Sequence, residues 1–302
     1  MKRLAVLGTP ITPRKYLGQI SGSSFCVSFF HKDKVDVDEI ISLTGRDQIL
    51  VLDSGAYSFW RNNGLSPTAE YWDQYIEWAA DILNKCPMAV CIPPDFIDGS
   101  PLDNREMIIA TGLLIPIERL MPVWHLNEAL DLLKDYVELG HRYIAFGSTT
   151  EYGDQVNPRL HNRLSEAFDV VNQTISKGSG YSKPWIHLLR HQAISHLHPF
   201  NSADSANIAM NHHRHKNSDN HLHHLVERLK AKMGSTPSPN ASSPADVAID
   251  ARHDEICIKH AKIEIKNKAA GRDIQNLDYS IYAPNLDSPA PVLVDEPFKL
   301  VG

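Results

Sequence analysis

Eight short apolar runs, separated by segments with helical periodicity, constrain the fold of this 302-residue chain more than any other feature. Each run is continuously apolar rather than alternating, which is typical of parallel strands buried on both faces. The predicted strands are residues 3–8, 25–30, 49–53, 88–95, 120–125, 143–147, 185–189 and 200–204. Strands and helices alternating in this way predict a (β/α)8 barrel. A doubly wound open sheet is the alternative, but no glycine-rich dinucleotide loop follows the first run.

Three of the intervening segments carry clear helical signals. Residues 68–85 place large apolar side chains at three- and four-residue steps, namely Tyr71, Tyr75, Trp78 and Ile82. Residues 126–140 and 159–178 repeat this pattern, and each segment stops at a glycine, as helices often do. These segments are therefore predicted to be helices that cover the sheet.

Composition excludes several classes of protein. Apolar residues make up 42% of the chain and charged residues 22%, as in ordinary globular proteins. The four cysteines form no CxxC pair, which argues against a zinc ribbon or redox motif and suits a reducing cytoplasm. The short apolar start and the absence of a long apolar run predict neither a signal peptide nor a membrane span. A net charge of −6 argues against bulk binding of polyanions but allows a local basic patch.

Polar residues gather where the predicted strands end, which is where barrel enzymes place their chemistry. Asp53, Asp95 and Asp204 end three of the runs, and His125 and His187 lie in two others. A single aspartate at this position is most often the N-cap of the next helix. Three carboxylates that face one mouth favour a functional site instead.

Paired carboxylates at a barrel mouth suit glycosidic chemistry. One can attack the anomeric carbon while another exchanges a proton with the leaving or entering group. The rings that follow Asp53 have two interpretations, either stacking surfaces for a flat base or core packing beneath the next loop. Core packing is favoured for Phe59, and both interpretations remain open for Tyr57 and Trp60.

Five short motifs, in order along residues 3–210, carry a family resemblance. They are LDSGAYSFW, CIPPD, MPVWH, YIAFGS and HPFNSADS. Together they resemble the tRNA-guanine transglycosylase superfamily, and most closely its DpdA-like branch, the DNA-guanine transglycosylases of phages and bacteria. The tRNA enzymes carry a CxCxxC…His zinc pattern that this chain lacks, which favours the DNA branch.

The resemblance implies an activity and residues for it. The protein would exchange guanine in DNA for a 7-deazaguanine base, with Asp204 as the nucleophile and Asp53 as the general acid/base, although these two roles could be exchanged. Asp95 would read the guanine-like edge, His125 would contact the base, and Gly147 would close over it. The predicted base-binding set is Ser54, Gly55, Tyr57, Asp95, His125, Gly147, Ser148 and His187.

The resemblance also implies the partners. These are DNA, whose target guanosine must leave the stack, and a base such as 7-cyano-7-deazaguanine, with no cofactor and no membrane. The protein would work in the cytoplasm, which is the host cytoplasm if a phage encodes it. The sequence leaves open whether it acts as a homodimer or with partner modification proteins. Alternative functions are base exchange on tRNA or nucleosides, metal-dependent hydrolysis in the barrel, and DNA binding without catalysis.

Histidine and basic residues are concentrated between residues 210 and 232, with five lysines and arginines against two acidic residues. A basic helix beside the mouth would hold a nucleic-acid backbone. The predicted nucleic-acid-binding residues are Arg190, His191, Arg214, Lys216 and Arg228, although Arg190 and His191 could instead cap a helix. A metal could bridge His221 and His224, or His212 and His215, but no cysteine or carboxylate pattern supports it, so no metal is predicted.

The chain is predicted to divide into three parts. Residues 1–232 would form the barrel domain, and a linker rich in proline and serine would follow at 233–250. Residues 251–302 would form a C-terminal extension with a proline-rich tail.

Overall fold

The structure, a computed structural model, describes residues 3–97, 99–148, 152, 158–176, 183–190, 192, 194–215 and 220–234. Its eight strands are β1 (Leu4–Gly8), β2 (Ser24–Ser28), β3 (Leu50–Asp53), β4 (Ala89–Cys91), β5 (Val123–His125), β6 (Tyr143–Gly147), β7 (Trp185–Leu188) and β8 (Ser202–Ser205). Every predicted apolar run overlaps one of these strands, and β2 and β8 each extend one residue beyond their predicted runs.

All the strand pairs are parallel, and the strand order is β4-β3-β2-β1-β8-β7-β6-β5. The two edge strands, β4 and β5, approach each other through a single parallel bridge between Cys91 and Leu120. The Met121 amide donates to the Cys91 carbonyl across this seam at 2.8 Å. The sheet therefore curls into the predicted (β/α)8 barrel, with its weakest strand pairing between β4 and β5.

Eight α-helices accompany the strands in the described part of the chain. They are α1 (Val37–Leu43), α2 (Ala56–Asn63), α3 (Ala69–Lys85), α4 (Pro101–Gly112), α5 (Leu130–Glu138), α6 (Pro158–Ser176), α7 (Asn207–Asn211) and α8 (His221–Gly234). Short 3-10 helices lie at Arg14–Ile20, Phe29–Lys34, Ile117–Arg119, Ser195–Leu197 and His212–His215. Among the described residues, no helix is long and apolar enough to cross a membrane.

The continuous apolarity of the strands has a simple cause, because each strand is buried on both faces. Along β1, Leu4 and Val6 belong to the cluster that fills the barrel, whereas Ala5 and Leu7 pack beneath the surrounding helices. The same alternation recurs from strand to strand, as expected for a period of two. Below the mouth, the barrel interior is therefore filled by packed side chains.

Helix α3 shows how closely the sequence signals match the structure. The Thr68 hydroxyl caps it by accepting from the Tyr71 amide at 3.4 Å. Tyr75 and Ile82 are buried as predicted, but Tyr71 and Trp78 are only partly buried. The buried face of the helix is centred one position further along than the predicted face, on the side of Trp72. It is broad, as in other amphipathic helices that pack on a sheet.

Helix α8 completes the barrel wall. Leu222 and Val226 pack with Leu7 of β1 and with the 3-10 helix Arg14–Ile20, and Met233 is buried further along. The predicted barrel boundary at residue 232 therefore falls inside this helix, since burial continues to Met233. The rest of the predicted linker and the whole predicted extension at 251–302 lie outside the described residues.

Candidate active site

A cavity of about 550 Å³ opens at the carboxyl ends of the strands. Eight of the predicted site residues line it, namely Asp53, Tyr57, Asp95, His125, Gly147, Ser148, Arg190 and Asp204. The three aspartates do not serve as helix caps, because the N-cap residues of α2, α4 and α7 are Gly55, Ser100 and Ala206. The strand-end carboxylates thus converge on one mouth, as their positions predict.

Asp53 ends β3 and lies in register with Ser28 of β2. Burial raises the pKa of this carboxyl to about 6, and the charges of Asp95 and Asp204 add to the increase. The Ser28 side chain and the Gly55 amide oppose it. A carboxyl with a pKa near 6 can both release and accept a proton close to neutral pH, as a general acid/base must.

Asp204 lies on β8, with a backbone amide and an imidazole nitrogen close to one of its oxygens. The Arg190 amide donates to its Oδ1 at 2.8 Å, and the His187 Nε2 lies 3.4 Å from the same atom. Arg190 adopts φ of 70°, the left-handed region that non-glycine residues rarely occupy. Such backbone strain is often found at functional sites, and here it points the amide at the carboxylate.

His187 does not contact the cavity, which corrects its predicted base-binding role. The side chain is fully buried, because it projects from β7 into the barrel below the mouth. Its Nδ1 lies 2.8 Å from the Ser202 hydroxyl, which accepts a hydrogen bond from the Trp185 indole at 2.7 Å. When that hydroxyl donates to Nδ1, the imidazole proton is left on Nε2, facing Asp204. His187 therefore orients the carboxylate from below.

His125 stands between two carboxylates. Its Nε2 lies 3.7 Å from Asp95 Oδ2, and its Nδ1 lies 3.5 Å from Glu128 Oε1. Burial alone would lower the pKa of this imidazole, but Asp95 and Glu128 outweigh it and raise the pKa to about 10. His125 is thus a cation at neutral pH. Glu128 had no signal in the sequence, since a glutamate three residues after a strand matches no motif.

Ser54 and Gly55 lie behind the cavity rather than in it, which corrects their predicted contact with the base. Ser54 is fully buried, and its hydroxyl donates to Asp95 Oδ1 at 3.4 Å. Gly55 has φ of 76°, and a Cβ there would lie 2.8 Å from the Phe30 backbone nitrogen. The glycine is required because Phe30 and Tyr71 fill its place, so no ligand can approach this backbone.

Gly147 lines the cavity, and its missing side chain makes room for His125. A Cβ on Gly147 would lie 2.8 Å from Val123 Cγ1 and 3.0 Å from the Cδ2 atom of His125. Contacts that short force neighbouring atoms to move. The glycine therefore fixes where the imidazole can lie, in addition to any contact with a ligand.

Aromatic rings and a guanidinium form one wall of the mouth. The Arg190 guanidinium lies 3.5 Å from the centre of the Tyr57 ring, and Tyr57 packs against Trp60 at 6.0 Å. Both rings line the cavity, whereas Phe59 packs on Tyr71 with ring centres 4.9 Å apart. Tyr57 and Trp60 thus line the cavity, with Arg190 over one face of the Tyr57 ring. Phe59 is half-buried, packs against Phe30 and Tyr71, and does not line the cavity.

Eight further lining residues had no role assigned from the sequence, namely Cys26, Ala56, Ser58, Ile92, Ile97, Val123, Asn127 and Leu189. Cys26 lies near both Asp53 and Asp204, and burial together with these two charges raises the pKa of its thiol well above the usual value. The thiol is therefore neutral. An isolated cysteine in an apolar strand gives no sign in the sequence that it faces a site.

The structure describes two of the predicted nucleic-acid-binding side chains. Arg190 lines the cavity, whereas Arg228 is exposed on α8 and does not line it. The apolar residues of α8 pack this helix against the outer face of β1. His191, Lys216 and the Arg214 side chain lie outside the described residues.

The described histidines of the basic segment pair with each other rather than at helical spacing. His212 and His221 are buried, with His212 Nδ1 3.1 Å from His221 Nε2. His212 Nε2 donates to the Thr12 carbonyl at 2.8 Å, so Nδ1 is left to accept from His221. His224 is exposed and does not join them. In the described part of the chain, no three histidine, cysteine or acidic side chains form a metal site.

Comparison with known proteins finds similarity in fold only. Neither a protein-family model nor a curated protein matches the chain. A mutant tryptophan synthase α-subunit from the hyperthermophile Pyrococcus furiosus shares 7% identity at a TM-score of 0.44, over 77% of this chain and 99% of that one. Tryptophan synthase from M. tuberculosis shares 10% identity at a TM-score of 0.42, over 77% of this chain and 93% of that one. At this level the likeness concerns the fold, and function has to be argued from the site.

Proposed function

We propose that the protein is an enzyme that exchanges guanine in DNA for a 7-deazaguanine base. The observation that carries the proposal is the placement of Asp53 and Asp204 at one cavity in different surroundings. Asp204 accepts a hydrogen bond from the Arg190 amide and lies beside His187, whereas burial and neighbouring charge bring the pKa of Asp53 to about 6. Two carboxyl groups with distinct surroundings are what a nucleophile and a general acid/base require.

The reaction consists of two matched displacements. Asp204 Oδ forms a bond to the deoxyribose C1′, the C1′–N9 bond breaks, and the departing guanine takes a proton from Asp53. The incoming base then returns its N9 proton to Asp53 as N9 bonds to C1′ and Asp204 leaves. The second step reverses the first with a different base, so no cofactor, oxidant or water is consumed.

The rest of the cavity suits the binding of a flat base. Asp95 and His125 offer an acceptor and a donor to its edge, and Tyr57 and Trp60 offer ring faces for stacking. The volume of about 550 Å³ is in the range of small-ligand sites and admits a flipped nucleotide. These features support recognition of a nucleobase but do not distinguish DNA from RNA.

Preference for DNA rests on the motif resemblance and on the missing zinc pattern. Basic side chains near the mouth offer phosphate contacts, since Arg190 lines the cavity and the 3-10 helix that follows β2 carries Lys32 and Lys34. The other described candidate, Arg228, is exposed on α8 and does not line the cavity.

The deciding experiment measures base exchange. Purified protein is incubated with duplex DNA, tRNA or free deoxyguanosine, each with labelled 7-cyano-7-deazaguanine, and the products are digested to nucleosides for mass spectrometry. We expect label in DNA with the wild type and none with Asp204→Asn. Label in tRNA or in the nucleoside alone would show that DNA is not the substrate. If no substrate takes up label from any of several deazaguanine bases, the proposed function is overturned. Stoichiometric zinc together with hydrolysis of the base would favour a hydrolase instead.

A further inference from the structure

Among the described residues at the mouth, Glu128 is the acidic group whose contacts serve a histidine rather than the cavity. Its side chain is 7% exposed, and Oε2 accepts from the His125 amide at 2.7 Å while Oε1 lies 3.5 Å from His125 Nδ1. The Glu128 amide in turn donates to the His125 carbonyl at 2.8 Å. This closed loop of contacts holds the carboxylate against one side of the imidazole.

The turn that carries Glu128 is anchored from outside. Arg163 of α6 donates to the carbonyl oxygens of Leu126 and Glu128, and its guanidinium packs 5.1 Å from the centre of the Trp124 ring. On the opposite side, Gly147 leaves room for the imidazole and no more. The ring of His125 is therefore fixed in position and cannot turn away from its carboxylates.

We infer that Glu128 locks His125 as a donor on both ring nitrogens, so that the pocket selects a base edge with a carbonyl oxygen next to an N–H. This inference rests on the proposed function, for which it names the positioning residue that sets base choice. A neutral imidazole can donate or accept at Nε2, but a cation can only donate. A base whose edge offers an amino group in place of the carbonyl oxygen would meet donor against donor.

The spacing of the two groups supports this. His125 Nε2 and Asp95 Oδ2 are 3.7 Å apart, which is too long for a full hydrogen bond, so both retain bonding capacity. Asp95 Oδ1 is already engaged by Ser54, which leaves Oδ2 for a ligand. A lactam edge places its oxygen at the histidine and its N–H at the aspartate, as guanine and its 7-deaza relatives do. The reversed edge of a 6-amino purine leaves both groups unsatisfied.

The groups that set the charge of His125 come from two elements. Asp95 follows β4 and Glu128 lies in the turn after β5, while the neighbouring β6 contributes Gly147, which has no side chain. Both carboxylates raise the pKa of His125, and burial opposes them. Removing the Glu128 charge leaves Asp95 alone against the ring and lowers the pKa of His125, so that a smaller fraction of the imidazole donates at both nitrogens.

A binding experiment with free bases tests this without DNA. Isothermal titration compares 7-deazaguanine with 2,6-diamino-7-deazapurine, which differ only in the lactam edge. We expect the wild type to prefer 7-deazaguanine by about 100-fold, and Glu128→Gln to reduce that preference about 10-fold. Asp131→Asn, an exposed acidic position three residues further on, is the matched control and should leave the preference unchanged.

Two additional measurements separate locking from a merely structural role. In NMR of labelled histidine, the His125 ring should remain charged at pH 8 in the wild type, and its titration should move to lower pH in Glu128→Gln. His125→Gln should lose the same preference, and the double variant should lose no more than either single one. If Glu128→Gln does not fold, His125→Gln and the wild-type titration carry the test.

The outcomes of the two proposals are distinguishable. An unchanged preference in Glu128→Gln, a neutral His125 at pH 8, or no binding of either base would overturn the inference. Selective binding of 7-deazaguanine without exchange in DNA, tRNA or nucleoside would leave the inference intact and overturn the transglycosylase function.

Discussion

The two sides of the barrel mouth each join a histidine to an aspartate, but they use the pair differently. On the β7–β8 side, His187 is fully buried under Asp204, and a neutral relay from Trp185 through Ser202 holds it. On the β4–β5 side, His125 reaches the cavity between two carboxylates. One side fixes the direction of a carboxylate and the other fixes a charge, so under the proposed function the same residue types would serve reaction on one side and recognition on the other.

The largest expected effect comes from substituting Asp204, the central residue of the β7–β8 side. Asp204→Asn keeps the size of the side chain and removes the nucleophilic oxygen, so base exchange should fall by about 10⁴-fold or more. Nucleoside analysis of modified DNA measures the loss. Asp33→Asn, at a side chain that is 92% exposed, should retain wild-type exchange. Exchange in Asp204→Asn within about 10-fold of wild type would remove this residue as the nucleophile.

Asp53, between the two sides, should act in opposite protonation states in the two displacements. Its pKa of about 6 predicts that formation of the glycosyl–enzyme slows as pH rises through 6, whereas its consumption by the incoming base speeds up. Single-turnover kinetics of each half-reaction measures this. Asp53→Asn should lower both rates by about 10²- to 10³-fold and remove their pH dependence. Parallel pH profiles for the two steps would contradict the assignment.

The charge on the β4–β5 side should appear in stability as a function of pH. A histidine whose pKa rises to about 10 on folding stabilises the fold fully below its unfolded pKa, and this contribution is lost as pH rises through 10. We expect His125→Gln to reduce the free energy of unfolding by about 3 kcal/mol at pH 6 and by much less at pH 10.5. Urea unfolding at the two pH values gives the difference. A pH-independent cost would show that His125 is not charged.

The relay beneath Asp204 should give a smaller effect without that pH dependence. Ser202→Ala leaves the Trp185 indole and the His187 Nδ1 without their shared partner, which costs about 1–2 kcal/mol of stability. Exchange should fall roughly 10-fold as His187 loses its orientation. Denaturation and exchange are measured on the same preparation, with Ser42→Ala, a hydroxyl bonded on the exposed face of α1, as the control. Equal effects of Ser202→Ala and Ser42→Ala would show that the hydrogen bonds of Ser202 do not orient His187.

The smallest expected effect concerns the backbone of the nucleic acid. Arg190→Ala should weaken DNA binding by about 1 kcal/mol and lower the salt dependence by about one phosphate contact. Arg228→Ala, on the outer face of α8, should change neither. Fluorescence anisotropy with labelled duplex at several salt concentrations measures both variants. If Arg228→Ala weakens binding more than Arg190→Ala, DNA follows the barrel wall instead of the mouth.

The barrel and its strand-end aspartates could be predicted because both depend on local pattern. Parallel strands buried on two faces produce continuous apolar runs, and the topology brings their carboxyl ends together. The depth of a side chain within the barrel was not predictable in the same way. His187 and Asp204 both point into the barrel near strand ends, yet His187 lies in register with Ser202, two residues below Asp204, and only Asp204 reaches the mouth.

Features that arise from contacts between distant segments also escaped prediction. Gly55 has the appearance of a ligand-binding glycine, but its space is filled by Phe30, twenty-five positions earlier in the chain. Glu128 depends on a turn that Arg163 of α6 holds in place. The histidines of the basic segment read as a polar surface, yet His212 and His221 are buried against the loop after β1. Each outcome is set by tertiary packing that no short motif encodes.

The single bridge between β4 and β5 has a consequence for ligand binding. Asp95 follows β4 and His125 ends β5, so the two groups stand on opposite sides of the barrel's weakest pairing. We expect a base that bonds both of them to link the two strand ends across this opening, where the backbone makes few cross-strand hydrogen bonds. Binding in the pocket should then stiffen the barrel, beginning at this seam.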